Sequence, residues 1–231
     1  MSKRNKLQKF SELLTFPNVF ENFSYREPVL TGVDGEPIDL RGHWNERHFG
    51  QSRPITLELA CGGGEYTLGL ARMYPQRHFI GVDIKGARIW KGARKALDEN
   101  LPNAAFLRTR IELLRHFFGP GEVAEIWVTF PDPFLNSPNR RLTAPLFLEE
   151  YKKVLQAGGL IHLKTDDPTL YEYTLEVLAT RTDFQLEYHD HDIYAKPLPM
   201  PELDLKTTYE HMHLEEGRKI KYVRFRALQP Q

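Results

Sequence analysis

From Pro54 onward, short uninterrupted apolar runs alternate with segments in which apolar residues recur every three or four positions. The first pattern predicts strands and the second helices. Strands are expected over 55–60, 78–83, 104–108, 125–130, 160–164 and 184–188, and helices over 65–73, 86–100, 112–118, 143–156 and 168–181. Thr143 reads as an N-cap, Gly158-Gly159 as the stop of that helix, and Leu101-Pro102 as the end of another. The strand interiors Phe79-Ile80-Gly81-Val82 and Ile126-Trp127-Val128 lack alternation, which implies burial on both faces. Segment 219–228 does alternate, with Lys and Arg between Ile220, Tyr222, Val223 and Phe225, and reads as a seventh strand with a wet face. Strands and helices in this order imply a doubly wound α/β fold around a mostly parallel seven-stranded sheet. Pro197, Pro199 and Pro201 mark 189–206 as a loop. Residues 1–53 scatter Phe10, Phe16, Phe20, Phe23, Tyr25, Trp44 and Phe49 among polar positions. They are expected to form an arm packed on, or extending from, one domain over 54–231.

Composition narrows the class. With 231 residues, 41% hydrophobic and 27% charged, the chain can bury a full α/β core. The formal net charge of +0 argues against a uniformly polycationic surface. Basic residues are nevertheless grouped: Lys3, Arg4, Lys6 and Lys9; Lys85, Arg88, Lys91, Arg94 and Lys95; Arg218, Lys219, Lys221, Arg224 and Arg226. The single cysteine, Cys61, excludes an internal disulfide and fits a reducing compartment. No apolar run approaches the ~20 residues that span a bilayer, and nothing behind Met1-Ser2-Lys3-Arg4 resembles a secretion signal. A cytoplasmic protein without membrane contact is expected.

The chemistry concentrates at two strand ends. Leu57-Glu58-Leu59-Ala60-Cys61-Gly62-Gly63-Gly64-Glu65 runs from a strand through a glycine turn into a helix. In an open α/β sheet that turn lies where ligands bind. A dinucleotide fingerprint would place another glycine at position 67, where Thr67 stands. An acidic residue inside the strand followed by spaced glycines is instead the pattern of methyltransferases. Glu58 would attract the ammonium of S-adenosylmethionine and repel a pyrophosphate. Gly62 and Gly64 would let the backbone approach that ligand, and Asp83 at the next strand end would bond a ribose hydroxyl pair. The second site is Phe130-Pro131-Asp132-Pro133-Phe134. The flanking prolines restrict the backbone, so the Asp132 carboxylate is aimed at the expected position of the methyl group.

In their order, these motifs resemble the bacterial tRNA (guanine-N7)-methyltransferases. The likeness also rests on Gly81-Val82-Asp83-Ile84-Lys85, Leu163-Lys164-Thr165-Asp166, Thr207-Thr208-Tyr209-Glu210 and Lys221-Tyr222-Val223-Arg224-Phe225. The resemblance implies a Rossmann-like fold, S-adenosyl-L-methionine as cofactor and tRNA as partner, with methylation at N7 of guanine 46 in the variable loop. A monomer or homodimer is expected. The resemblance places Glu58, Gly62, Gly64, Asp83, Thr109 and Asp132 at the cofactor, with Asp132 also at the reaction centre, and Asp166, Thr207 and Glu210 at the substrate guanine. Asn136 stands where the family usually has a substrate-contacting lysine, and Arg140 and Arg141 are expected to take over that contact. Ala60 replaces the family's usual first glycine.

Two other readings share these residues: a methyltransferase with a small-molecule or protein acceptor, and a catalytically inactive RNA-binding relative. Metal binding by His189-Asp190-His191 or His211-Met212-His213 is not expected, because rings two residues apart seldom converge and no cysteine set completes a site. Cys61 has no paired base in the sequence and reads as a small packed residue.

Overall fold

A computed structural model describes residues 6–228. Its centre is one eight-stranded sheet in the order β1-β4-β3-β2-β5-β6-β8-β7. The strands are β1 (Val19–Glu21), β2 (Ile55–Leu59), β3 (His78–Asp83), β4 (Ala104–Arg108), β5 (Val123–Thr129), β6 (Leu155–Thr165), β7 (Phe184–Asp190) and β8 (Lys221–Ala227). Only β8 runs against the others, pairing antiparallel with both β6 and β7. Every residue of β2 and β3 is buried, as strands covered on both faces must be. Strand order reverses between β2 and β5, which opens a crevice beyond their carboxyl ends.

The helices are α1 (Lys6–Leu13), α2 (Glu65–Met73), α3 (Gly86–Asp98), α4 (Leu114–Phe117), α5 (Pro145–Val154), α6 (Pro168–Ala179) and α7 (Thr208–Glu215). The pattern of α3 decides its placement: Ile89, Ala93 and Ala96 are buried, while Arg88, Lys91 and Lys95 face outward. Gly92 brings α3 against the turn after β2, since a Cβ there would stand 2.6 Å from the Gly63 carbonyl oxygen.

Three expectations change. The sheet gains an eighth strand because Val19–Glu21 of the expected arm pairs parallel with β4, and Leu13, Phe16, Val19 and Phe20 are buried. Thr143 does not cap α5. Its hydroxyl bonds that of Thr174 at 2.7 Å, leaving Ala144 at the N-cap with Pro145 at the first helical position. Gly158-Gly159 does not stop that helix either. Leu155 is already extended (φ −69°, ψ 140°), and the glycines lie within β6 where its register with β5 shifts. The proline-rich stretch is mostly irregular, as expected, and the short α7 behind it was not anticipated.

Candidate active site

The turn after β2 needs left-handed backbone at three positions: Ala60 (φ +57°), Gly62 (φ +56°) and Gly64 (φ +69°). Gly64 has a second reason to lack a side chain, because a Cβ would stand 2.4 Å from the Phe106 ring. Ala60 holds a conformation that costs a β-carbon-bearing residue energy, which marks the turn as a strained site. Beyond it lie two cavities of about 240 and 340 Å³ that share Ala60 in their walls.

Glu58 forms part of the first cavity although it is only 3% exposed. One carboxylate oxygen accepts from the Thr67 amide (2.8 Å) and hydroxyl (2.5 Å). The other accepts from the Thr129 hydroxyl at 2.8 Å. Glu58 thereby ties β2 to the first turn of α2 and to the end of β5. Burial pushes its carboxyl up to about 7, against the pull of these hydrogen bonds.

Asp83 braces the same turn from β3. Its Oδ2 accepts from the Gly62 amide (2.9 Å) and its Oδ1 from the Lys85 amide (2.8 Å). Each oxygen keeps a further lone pair. Asp83 and Thr109 line the second cavity with the apolar Ile84, Ile111, Leu142 and Phe147. Thr109 is buried, and its hydroxyl accepts from Asn22 at 3.2 Å.

Asp132 is exposed and follows β5. The prolines do not aim it alone. Phe130 (φ +47°) and Phe134 (φ +42°) bracket the motif in the left-handed region, an expensive state for bulky residues. The Phe130 amide donates to the Lys164 carbonyl at 2.8 Å, and the Phe134 amide donates to Asp132 Oδ1 at 3.0 Å. Arg141 Nε donates to the Pro133 carbonyl at 2.9 Å.

That bond corrects one expected substrate contact. Arg141 is 4% exposed and packs over the Tyr173 ring, so it holds the loop and does not present a cation to a ligand. Arg140 is exposed, lines the second cavity and lies 4.4 Å from the Phe134 ring centre.

Of the remaining substrate residues, only Thr207 lines the first cavity. Its hydroxyl caps α7 by accepting from the Glu210 amide at 3.1 Å. Glu210 is fully buried and does not face the cleft. Its carboxylate meets Lys164 Nζ at 2.7 Å and accepts from the Tyr194 hydroxyl at 2.6 Å. Asp166 is occupied by Arg218 at 2.7 Å.

Lys164 and Glu65 organise this wall; both lie in the quoted motifs, but no role was assigned to either from sequence. Lys164 Nζ also donates to the carbonyls of Leu203 (2.8 Å) and Leu205 (3.0 Å). Burial lowers its pKa to about 8 despite Glu210. A lysine inside a central strand was the readable signal, since such a residue is buried only when paired. Glu65 accepts from the Thr208 amide (2.6 Å) and hydroxyl (2.5 Å), clasping α7 to the start of α2.

The basic groups differ in availability. Arg218, Lys219, Arg224 and Arg226 are engaged by Asp166, Asp192 and Glu187. Arg88 and Lys91 stand on the rim of the first cavity without a carboxylate partner among the described residues. Lys3 and Arg4 lie outside the described residues. Among the described residues, no group of three or more His, Cys, Asp or Glu side chains could hold a metal ion. No helix there is long and apolar enough to cross a membrane.

Known proteins give this cleft a context. The family model described as "Putative methyltransferase" matches residues 52–223. A tRNA (guanine-N(7)-)-methyltransferase of Porphyromonas gingivalis is 49% identical over 94% of this chain and 87% of its own. One of Bacteroides thetaiotaomicron is 44% identical over 98% and 87%. Among solved structures, the 16S rRNA methyltransferase KamB superposes with a TM-score of 0.61 at 15% identity, covering 84% of this chain and 97% of its own. A 16S rRNA (adenine(1408)-N(1))-methyltransferase with its cosubstrate gives 0.58 at 17%, covering 85% and 95%. At those identities the likeness concerns the fold. The relatives aligned across nearly the whole length show more: this chain belongs to the tRNA (guanine-N(7)-)-methyltransferase family, whose members use S-adenosylmethionine.

Proposed function

We propose that this protein transfers a methyl group from S-adenosylmethionine to N7 of guanine 46 in the tRNA variable loop, acting in the cytoplasm as a monomer or homodimer. The observation that carries the reading is the two-part cleft at the switch point, with a buried acid in one part, an apolar lining in the other, and a carboxylate on the loop beyond β5.

The cleft fits the cofactor. A Cβ built on Gly62 or Gly63 would meet no atom within 4 Å, so the backbone there borders open space. The Glu58 part suits an ammonium, the Ile84, Ile111, Leu142 and Phe147 part suits a purine face, and Asp83, which lines that second part and holds the Gly62 amide of the first, suits a ribose. Thr109 adds a polar edge at the purine end. The cofactor supplies an electrophilic methyl group when bound.

Guanine N7 carries an in-plane lone pair and needs no base to expose it. The residues therefore act by holding the acceptor in line at near-attack distance. Methylation leaves a cationic ring, and Asp132 stabilises that charge as it develops. Thr207 borders the acceptor, while Asp166 and Glu210 act indirectly through Arg218 and Lys164. Arg88, Lys91 and Arg140 pair with phosphates of the RNA. Incubation with labelled cofactor and unmodified tRNA, followed by nucleoside analysis, should find 7-methylguanine at position 46 alone. No transfer, or label elsewhere, overturns the reading.

The raised Glu58 carboxyl predicts a pH dependence. A bound cation favours the ionised form, so cofactor affinity should tighten about tenfold between pH 6 and pH 8, with proton release near pH 7. Calorimetry in buffers of different ionisation enthalpy would detect that proton, and Glu58→Gln should abolish it. Stability of the ligand-free protein runs the opposite way. A carboxyl with a folded pKa near 7 and an ordinary value of 4.5 stabilises the fold below 4.5 and loses that contribution as pH rises through 7. Glu58→Gln should accordingly melt several degrees higher at pH 8. A pH-flat affinity with no proton release refutes this role.

If the α3 cations meet phosphates, tRNA affinity should fall steeply with salt. Arg88→Ala and Lys91→Ala should each flatten the slope of log K against log salt by about one. Unchanged slopes would remove them from the RNA track.

A further inference from the structure

The chain between β1 and Leu30 displays Phe23 and Tyr25, which are 67% and 61% exposed. This exposure is built. Asn22 Oδ1 accepts from the Ser24 and Val29 amides at 3.3 Å each, and the Ser24 hydroxyl accepts from the Glu27 amide at 3.0 Å. Asn22 Nδ2 donates to the Ser24 carbonyl (3.0 Å) and to the Thr109 hydroxyl (3.2 Å), which anchors the bend to the wall of the cofactor cleft.

Each ring has a guanidinium beside it: Arg108 lies 5.1 Å from the Phe23 ring centre and Arg110 lies 5.8 Å from that of Tyr25. Arg108 is neutralised by Glu21 at 2.8 Å. Arg110 has no carboxylate partner among the described residues. A groove of about 200 Å³ runs between these groups, and Ile84, Thr109 and Arg110 line both it and the apolar part of the cleft.

We propose that Phe23, Tyr25 and Arg110 form a stacking platform for unpaired nucleotides next to the target base, an inference that rests on the tRNA reading above. Exposed rings alternating with guanidinium groups bind single-stranded nucleic acid because every base offers a π face and every linkage a negative charge. The unpaired cation and the continuity with the cleft favour RNA over a protein partner. Drawing a base out of a stack leaves its neighbours without a stacking partner, and the platform offers them new ones. Phe23 and Tyr25 line neither part of the cofactor cleft, and Arg110 stands on the edge shared by the cleft and the groove.

The test combines kinetics with a direct optical readout. Phe23→Ala with Tyr25→Ala should raise KM for tRNA about 10- to 100-fold, with S-adenosylmethionine affinity within twofold of the parent. Phe23→Trp should restore KM, and its extra indole emission should be quenched by a short single-stranded RNA. An unchanged KM in the double alanine variant overturns the platform and is what a protein-docking surface would give. A parallel loss of cofactor affinity also overturns it, since the rings would then only support the cleft. Should the parent methylate no tRNA, the functional reading fails, and quenching of the Phe23→Trp protein still decides whether the surface binds RNA: quenching upholds it and its absence refutes it.

Discussion

Asp132→Asn is expected to lower kcat by about 10²- to 10³-fold while changing S-adenosylmethionine affinity by threefold or less. The substitution suits the question because it preserves shape. Asn can still accept the Phe134 amide hydrogen bond that Asp132 Oδ1 accepts now, and the two left-handed phenylalanines and the Arg141 tether remain. Only the charge is lost. N7 attack creates a full positive charge on the guanine ring, so a carboxylate beside it is worth more in the transition state than in the ground state. Single-turnover methyl transfer and cofactor titration on the same protein separate the two. Equal losses in both would reduce Asp132 to a cofactor ligand and remove charge stabilisation from the mechanism.

The second large effect is on stability. Lys164→Met or Glu210→Leu, made singly, should cost about 3–5 kcal/mol, because each strands an opposite charge with no water to replace its partner. Both side chains are fully buried. The double variant should recover much of that loss, since two apolar side chains leave no uncompensated charge. Chemical denaturation of the three variants measures the coupling. Losses below about 1 kcal/mol in both singles would mean that the pair relaxes to solvent on mutation. The same substitutions should raise KM for tRNA in the folded fraction. Lys164 holds the Leu203 and Leu205 carbonyls as well as Glu210, and so fixes the strand-to-helix segment that brings Thr207, Thr208 and Tyr209 to the cleft wall.

The chain's periodicity was enough to specify seven of the eight strands, the mostly parallel character of the sheet and the strand ends that carry Glu58, Asp83 and Asp132. Buried strands must be apolar on both faces, and glycine turns must interrupt them where a ligand enters. Those requirements act within a few residues of one another, so they are written locally. The edge strand Val19–Glu21 was not legible because three residues carry too little pattern, and its partner Phe106 lies far along the chain. Nor could local pattern separate the three basic clusters. Arg218 and Arg224 look as free in sequence as Arg88, and only folding brings Asp166 and Glu187 to them. The family likeness implies ligand contacts for Arg141 and Glu210, but packing makes the first a tether and the second half of an internal ion pair. Sequence by itself determined which residues are acidic, basic or flexible at each strand end. Tertiary structure alone decided which of those charges still face a ligand, because a charge is consumed by whatever partner the fold places within hydrogen-bonding distance.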